Sequence, residues 1–271
     1  MAGFVPKQSD APVDGTVDVE RHGSVMLIGI NRPKKLNGFS LKLVNELAEA
    51  YDRFEKDEEA HVAVVHAFGP HFTAGVQLDQ VGDMFAAGLH ASIPGKIDPF
   101  DLFAPLRTKP VIFAVQGICF TVGIELMLAG DIVIAASDTR FGQIEVRRGI
   151  FANHGATLRI VERAGWGNAM RYLLTGDEFD AETAFRLGLI QEIVEPGRQL
   201  DRAIELAESI AAQAPLAVSQ TLVTARKGVF DGWYAAAADF GPEQARIMKT
   251  EDAREGVASA KERRTAVFRG R

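Results

Sequence analysis

TVGIELMLAGDIVIAASDTRFGQIE, residues 121–145, sets a helix-length apolar run directly before a strand-length one. GIELMLAG has the length of two helical turns, and DIVIAA reads as a buried strand. A carboxylate sits inside the first run and another follows the second, Glu125 and Glu145, twenty residues apart. A charged group in low dielectric costs free energy unless it is paired, protonated or used, so these glutamates are where chemistry is to be sought.

The same alternation extends outward. VMLIGI (25–30), VAVVHAF (62–68) and VIFAV (111–115) are further buried-strand runs. Between the first two, Leu41, Val44, Leu47, Ala48, Tyr51 and Phe54 recur at helical spacing behind Ser40, the expected N-cap. Buried strands alternating with helices predict an α/β fold. Pro196-Gly197 punctuates the last strand-like run, 189–194, and the remainder reads as helix. The expected organisation is a core over 1–197, with a loose leader at its start, and a helical region over 198–271.

The 271 residues, 47% of them hydrophobic, suffice for one large domain. A net charge of -6 argues against a nucleic-acid partner, which demands a dominant basic face. No run approaches the roughly 20 apolar residues of a membrane span. Cys119 is the single cysteine, which supports neither a disulfide scaffold nor a cysteine-based metal cage and fits a reducing, cytoplasmic setting.

Two glycine-bearing loops precede helices. FGPHFTAGVQLDQ places Gly75 before a helix expected to begin near Val76, and QGICFTVGIEL places Gly123 at the opening of the helix carrying Glu125. Two readings stand: ordinary strand-to-helix turns, or a pair of free N–H groups converging on one oxygen, assisted by the helix dipoles. Each glutamate likewise has two readings, a reacting group or a partner of Arg140, Arg147 or Arg148.

Taken in order, INRPKKLNGFS, HFTAGVQLDQ, VQGICFTVGIELMLAGDIVIAASDTRFGQIEVRRGI, YLLTGDEFDAETAFRLGLIQEIV and REGVASAKERR resemble the crotonase superfamily, the enoyl-CoA hydratase/isomerase family. The resemblance implies a spiral of ββα turns with a C-terminal helical trimerisation region, an acyl-CoA substrate, and a homotrimer or a hexamer of paired trimers. It implies no metal and no cofactor beyond the coenzyme A of the substrate. Glu125 and Glu145 fall on the hydratases' acid and base positions, and the N–H groups of Val76 and Val122 on the two oxyanion donors. Ala74, Gly75, Gln77, Gly123 and His154 fall on the substrate site, Lys34 and Lys35 on the CoA-binding edge, and Arg263 on a position that reaches a neighbouring subunit's CoA.

Three places depart from the usual pattern: Gln77 where aspartate is common, TVG where relatives are richer in glycine, and FANHGAT after RRGI, which brings His154 to the acyl pocket. His154 reads as a third proton-transfer group, a polar substrate contact, or a packing residue. Met84, Phe85, Leu89, Phe100 and Phe103 fall in the segment that helps shape that pocket in the family. The implied activity is reversible hydration of an enoyl-CoA. An enoyl-CoA isomerase or another reaction of the family is the alternative, and a catalytically weak CoA-binding scaffold is the alternative from another class.

Overall fold

The computed structural model describes residues 5–88 and 93–271. Leu89 therefore lies outside the described residues, as do the side chains of Met84 and Phe85. The chain begins with β1 (Thr16–His22), β2 (Val25–Asn31), α1 (Leu41–Lys56), β3 (Val62–Ala67) and α2 (Leu78–Ala86). It continues through β4 (Val111–Val115), β5 (Ile118–Phe120), α3 (Val122–Ala129), β6 (Ile132–Ala136) and β7 (Arg140–Gly142). Helices α4 (Ala156–Ala164) and α5 (Trp166–Leu173) follow, then β8 (Glu178–Asp180), α6 (Ala181–Arg186) and β9 (Glu192–Val194). The end is helical: α7 (Gln199–Ala211), α8 (Pro215–Phe230), α9 (Trp233–Ala237), α10 (Phe240–Ile247) and α11 (Glu251–Glu262).

Strands β1-β2-β3-β4-β6-β9 form one sheet in that order, and β5-β7-β8 a second. Only β1 runs antiparallel in the large sheet. Every residue of β2, β3 and β4 is buried, which is why these runs are continuously apolar rather than alternating. The sequence of β4, β5 and α3, then β6, β7 and α4, sends one strand to each sheet before each helix. This repeat makes the spiral of ββα turns.

Helix α1 starts where expected, Ser40 Oγ accepting from the Leu43 N–H at 3.2 Å, and buries Leu43, Val44, Leu47, Tyr51 and Phe54 on one face. Helix α7 covers the other side of the sheet, its Ala203, Ile204 and Ala207 packing with Leu27, Val64, Ile112 and Ile134. Further on, α8 is tied to the core by charge. Arg107, fully buried, grips Asp131 with bonds of 2.7 and 3.0 Å, and Arg226 donates to the Arg107 carbonyl at 2.6 Å.

Three local expectations are corrected. The leader ends earlier than its polarity suggests, because residues 16–22 form the edge strand β1 and Ser9 is hydrogen-bonded to Asp18. The last strand is confined to Glu192–Val194. Helix α2 begins at Leu78, so Val76 lies before it, in a bridge to Phe39. No helix among the described residues is long and apolar enough to cross a membrane.

Candidate active site

Three parallel segments run side by side and leave the small sheet in the same direction. β5 pairs with β7 through Phe120 and Gly142, and on its other side Cys119 bridges Thr73. The chain after Thr73 carries Gly75 and Val76, the chain after β5 carries Val122 and Glu125, and the chain after β7 carries Glu145. Local sequence alone does not reveal this convergence; strand pairing creates it.

The first two loops touch. Thr73 N–H donates to the Ile118 carbonyl and Phe120 N–H to the Thr73 carbonyl, each at 3.0 Å. Gly75 has φ +118°, and a Cβ there would lie 2.5 Å from Thr121 Oγ1; one on Gly123 would lie 2.5 Å from Thr73 Cγ2. Both contacts demand glycine. Val122 is the first residue of α3, so its N–H has no partner within the helix. Among the described residues no acceptor is found for the N–H of Val76 or of Val122. Thr121, between the loops, is held at φ +52°, a strained conformation for a β-branched residue.

Glu125 is 2% exposed on α3. Its Oε1 accepts from the His154 N–H at 2.6 Å and from the Ala156 N–H at 3.4 Å, and His154 Nδ1 stands 3.8 Å from Oε2. Glu145 opens a short 3-10 turn after β7, and its Oε1 accepts from Gln143 Nε2 at 2.8 Å. Its Oε2 is buried without a hydrogen-bond partner among the described residues. The arginines that competed for these carboxylates are engaged elsewhere, Arg140 with Glu178 and Arg147 with Asp177. Arg148 makes no ion pair with either glutamate among the described residues.

Burial raises the pKa of Glu125 from the ordinary carboxylate range to about 7, against the opposing bond from His154, and nearby Glu145 raises it further. Burial likewise takes Glu145 to about 7, opposed by the bond from Gln143. These carboxyls therefore exchange protons near neutrality. A raised folded-state pKa means that the folded chain holds more protons than the unfolded chain between about pH 4.5 and 7. The stabilising contribution is full below 4.5 and is lost as pH rises through 7. Denaturant melts at pH 5 and 8 are expected to differ by about 2.5 kcal/mol from one such group. A chain with both glutamates changed to glutamine is expected to lose the contributions of both groups; an unchanged difference in that variant contradicts the assignment.

The other expected residues are distributed unequally. Lys34 and Lys35 are exposed on a short turn joined to the first loop by the bond from Ala74 N–H to the Leu36 carbonyl, 3.0 Å. Gln77 turns its Oε1 to Arg32, which donates at 2.6 Å, so this side chain braces the loop. Arg263 is the exposed C-cap of α11, and a place on a neighbour's CoA requires a second copy. Gln143 was missed by sequence reading, and Phe100 was named only within the pocket-shaping segment, without its contact to His154. Gln143 positions Glu145, and Phe100 meets the His154 ring at 4.6 Å. A glutamine two residues before a buried carboxylate was the only available signal for the first; Phe100 was visible only as part of an apolar segment. Cys119 is fully buried, and burial raises its thiol pKa, so it offers no thiolate.

The sequence profile described as enoyl-CoA hydratase/isomerase matches residues 20–271. The fold is similar to that of a probable enoyl-CoA hydratase/isomerase from Mycobacterium abscessus, with TM-score 0.92 and 44% identity, covering 97% of this chain and 100% of the other. The chain is 30% identical over 258 residues to enoyl-CoA hydratase EchA19 of Mycobacterium tuberculosis, covering 93% of this chain and 96% of that protein. It is 31% identical over 255 residues to mevalonyl-coenzyme A hydratase sidH of Aspergillus fumigatus, covering 90% and 91% respectively.

Proposed function

This chain belongs to the enoyl-CoA hydratase/isomerase family, and from that premise we propose that it adds water reversibly across the α,β double bond of an acyl-CoA thioester. The supporting observation is the pair of buried glutamates, each with Oε1 hydrogen-bonded, while Oε2 of Glu145 has no hydrogen-bond partner among the described residues and that of Glu125 stands 3.8 Å from His154 Nδ1. Anchoring one oxygen fixes the carboxyl plane; the other remains for a proton.

In the forward direction water oxygen attacks C3 while Glu125 takes its proton. The C2=C3 electron pair moves toward the thioester, placing negative charge on the carbonyl oxygen, and Glu145 delivers a proton to C2. One oxygen and two hydrogens are gained, and the glutamates finish with their protons exchanged. In dehydration the roles reverse. The N–H groups of Val76 and Val122 receive the developing oxyanion. Their advantage is that they are oriented before the reaction and leave no reorganisation to be done at its peak. Ala74, Gly75 and Gly123 shape this cradle, while Lys34 and Lys35 meet phosphate groups of the coenzyme. No cofactor beyond that coenzyme enters the scheme.

Self-association completes the proposal. Trp233 and Tyr234 are 86% and 96% exposed, and Phe230 and Phe240, also on the C-terminal helices, are exposed as well. A homotrimer, or two paired trimers, would cover these side chains and bring Arg263 to a neighbour's ligand. The region 198–271 then both closes the core and joins copies.

The deciding assay compares the same enzyme on a 2-enoyl-CoA and a 3-enoyl-CoA. Hydration of the first supports the proposal. Double-bond migration in the second without hydration of the first makes the chain an isomerase, and binding of both without turnover makes it a scaffold.

A further inference from the structure

His154 offers Glu125 two different nitrogens. Its backbone N–H donates to Oε1 at 2.6 Å, and its ring Nδ1 faces Oε2 at 3.8 Å. The ring is held in place from behind. It is tilted against Phe100, whose loop is clamped by Asp98: that carboxylate accepts the N–H groups of Phe100, Leu102 and Phe103 at 3.0, 3.0 and 3.1 Å. Arg159 Nη2 closes the clamp by donating to the Phe100 carbonyl at 2.7 Å. Thus the oxygen left for proton transfer has an imidazole at its side, oriented by a loop with its own polar anchors. A movement of about 1 Å brings the pair to hydrogen-bond distance.

We propose that His154 is a positioning residue for Glu125, its Nδ1 closing on Oε2 and holding that oxygen charged and aimed at the reacting water. The proposal rests on the hydratase reading, in which Glu125 is the base. It accounts for the departure at FANHGAT: the altered turn retains the backbone donor and adds a side-chain donor beside the same carboxylate.

Other charges bear on the pair. Glu145 raises the pKa of Glu125, and Arg159 lowers it. On the loop behind the ring, Asp98 and Asp101 act on Arg159. The effect of the imidazole must therefore be read as a change at Glu125 against this fixed background.

Two variants separate positioning from packing. His154→Phe keeps an aromatic ring against Phe100 and removes the donor; His154→Asn loses the ring and retains a donor near Nδ1. The Glu125 carboxyl is followed by NMR in protein labelled with carbon-13 at glutamate, its resonance identified by its loss in Glu125→Gln. The expected midpoint moves up by about one pH unit in His154→Phe and returns to within a few tenths in His154→Asn, a tenfold change in proton affinity. The acid limb of kcat/KM on an enoyl-CoA is expected to move with it.

An unmoved Glu125 midpoint in His154→Phe overturns the proposal, whatever happens to folding stability. The same upward shift in both variants also overturns it, because ring packing then accounts for the effect. Failure of the hydratase reading is distinguished by the absence of 2-enoyl-CoA hydration in the unsubstituted protein, an outcome independent of the NMR midpoint.

Discussion

Glu125→Gln and Glu145→Gln are each expected to lower kcat for enoyl-CoA hydration by about 10³-fold, within the range for loss of a positioned acid or base. Glutamine preserves the local anchors. At 125 its carbonyl can still accept from the His154 N–H, and at 145 it can still accept from Gln143 Nε2. What disappears is a group able to carry a proton near neutral pH. The substitutions also remove a charge that burial opposes, so the variants are expected to be at least as stable as the parent at pH 8. Steady-state kinetics beside denaturant melts tests both halves. Near-normal turnover in a folded variant would remove that glutamate from the mechanism.

The second large effect concerns an atom that ordinary side-chain substitution does not remove. Val122→Pro deletes the N–H assigned to the oxyanion, and its position makes deletion structurally tolerable: proline suits the first turn of a helix, where this N–H has no helical partner. Thr121 must change with it, because a residue at φ +52° before proline is tolerated best as glycine. Thr121→Gly alone is the control and is expected to retain most activity. The double variant is expected to lose a further 10²- to 10³-fold in kcat, about 3 to 4 kcal/mol of transition-state stabilisation from one donor. Circular dichroism checks that α3 and the sheets persist. Comparable kcat in the control and the folded double variant would contradict a role for this N–H.

Much of the spiral was legible because its strands are buried on both faces. VMLIGI, VAVVHA, VIFAV and IVIAA need no partner to announce themselves, and Ser40 marks the following helix by its chemistry. The edge strand β1 was different. TVDVERH carries acids and a base and is only partly buried, so it resembles a polar leader until β2 pairs with it. Val76 was misplaced for a related reason: the residue that sets its local structure is Phe39, far back in the chain.

The glutamates were legible as anomalies in apolar surroundings, but their supports were not. Gln143 becomes informative only when Glu145 folds back toward it, and Phe100 only when its loop meets α4. The departure from aspartate at Gln77 was visible in the sequence, but the engagement of its side chain by Arg32, 45 residues earlier, was not. Contacts between distant segments make these distinctions; hydropathy and spacing do not encode them directly.

The most direct measurement follows atoms from solvent into product. Crotonyl-CoA is incubated with the enzyme in water enriched in oxygen-18, and in a parallel reaction in deuterium oxide, then the CoA thioesters are analysed by mass spectrometry and NMR. The account predicts 3-hydroxybutyryl-CoA with one solvent oxygen at C3 and, in the parallel reaction, one deuterium at C2. Turnover that shifts the double bond without incorporating oxygen, or that releases free CoA, would contradict it.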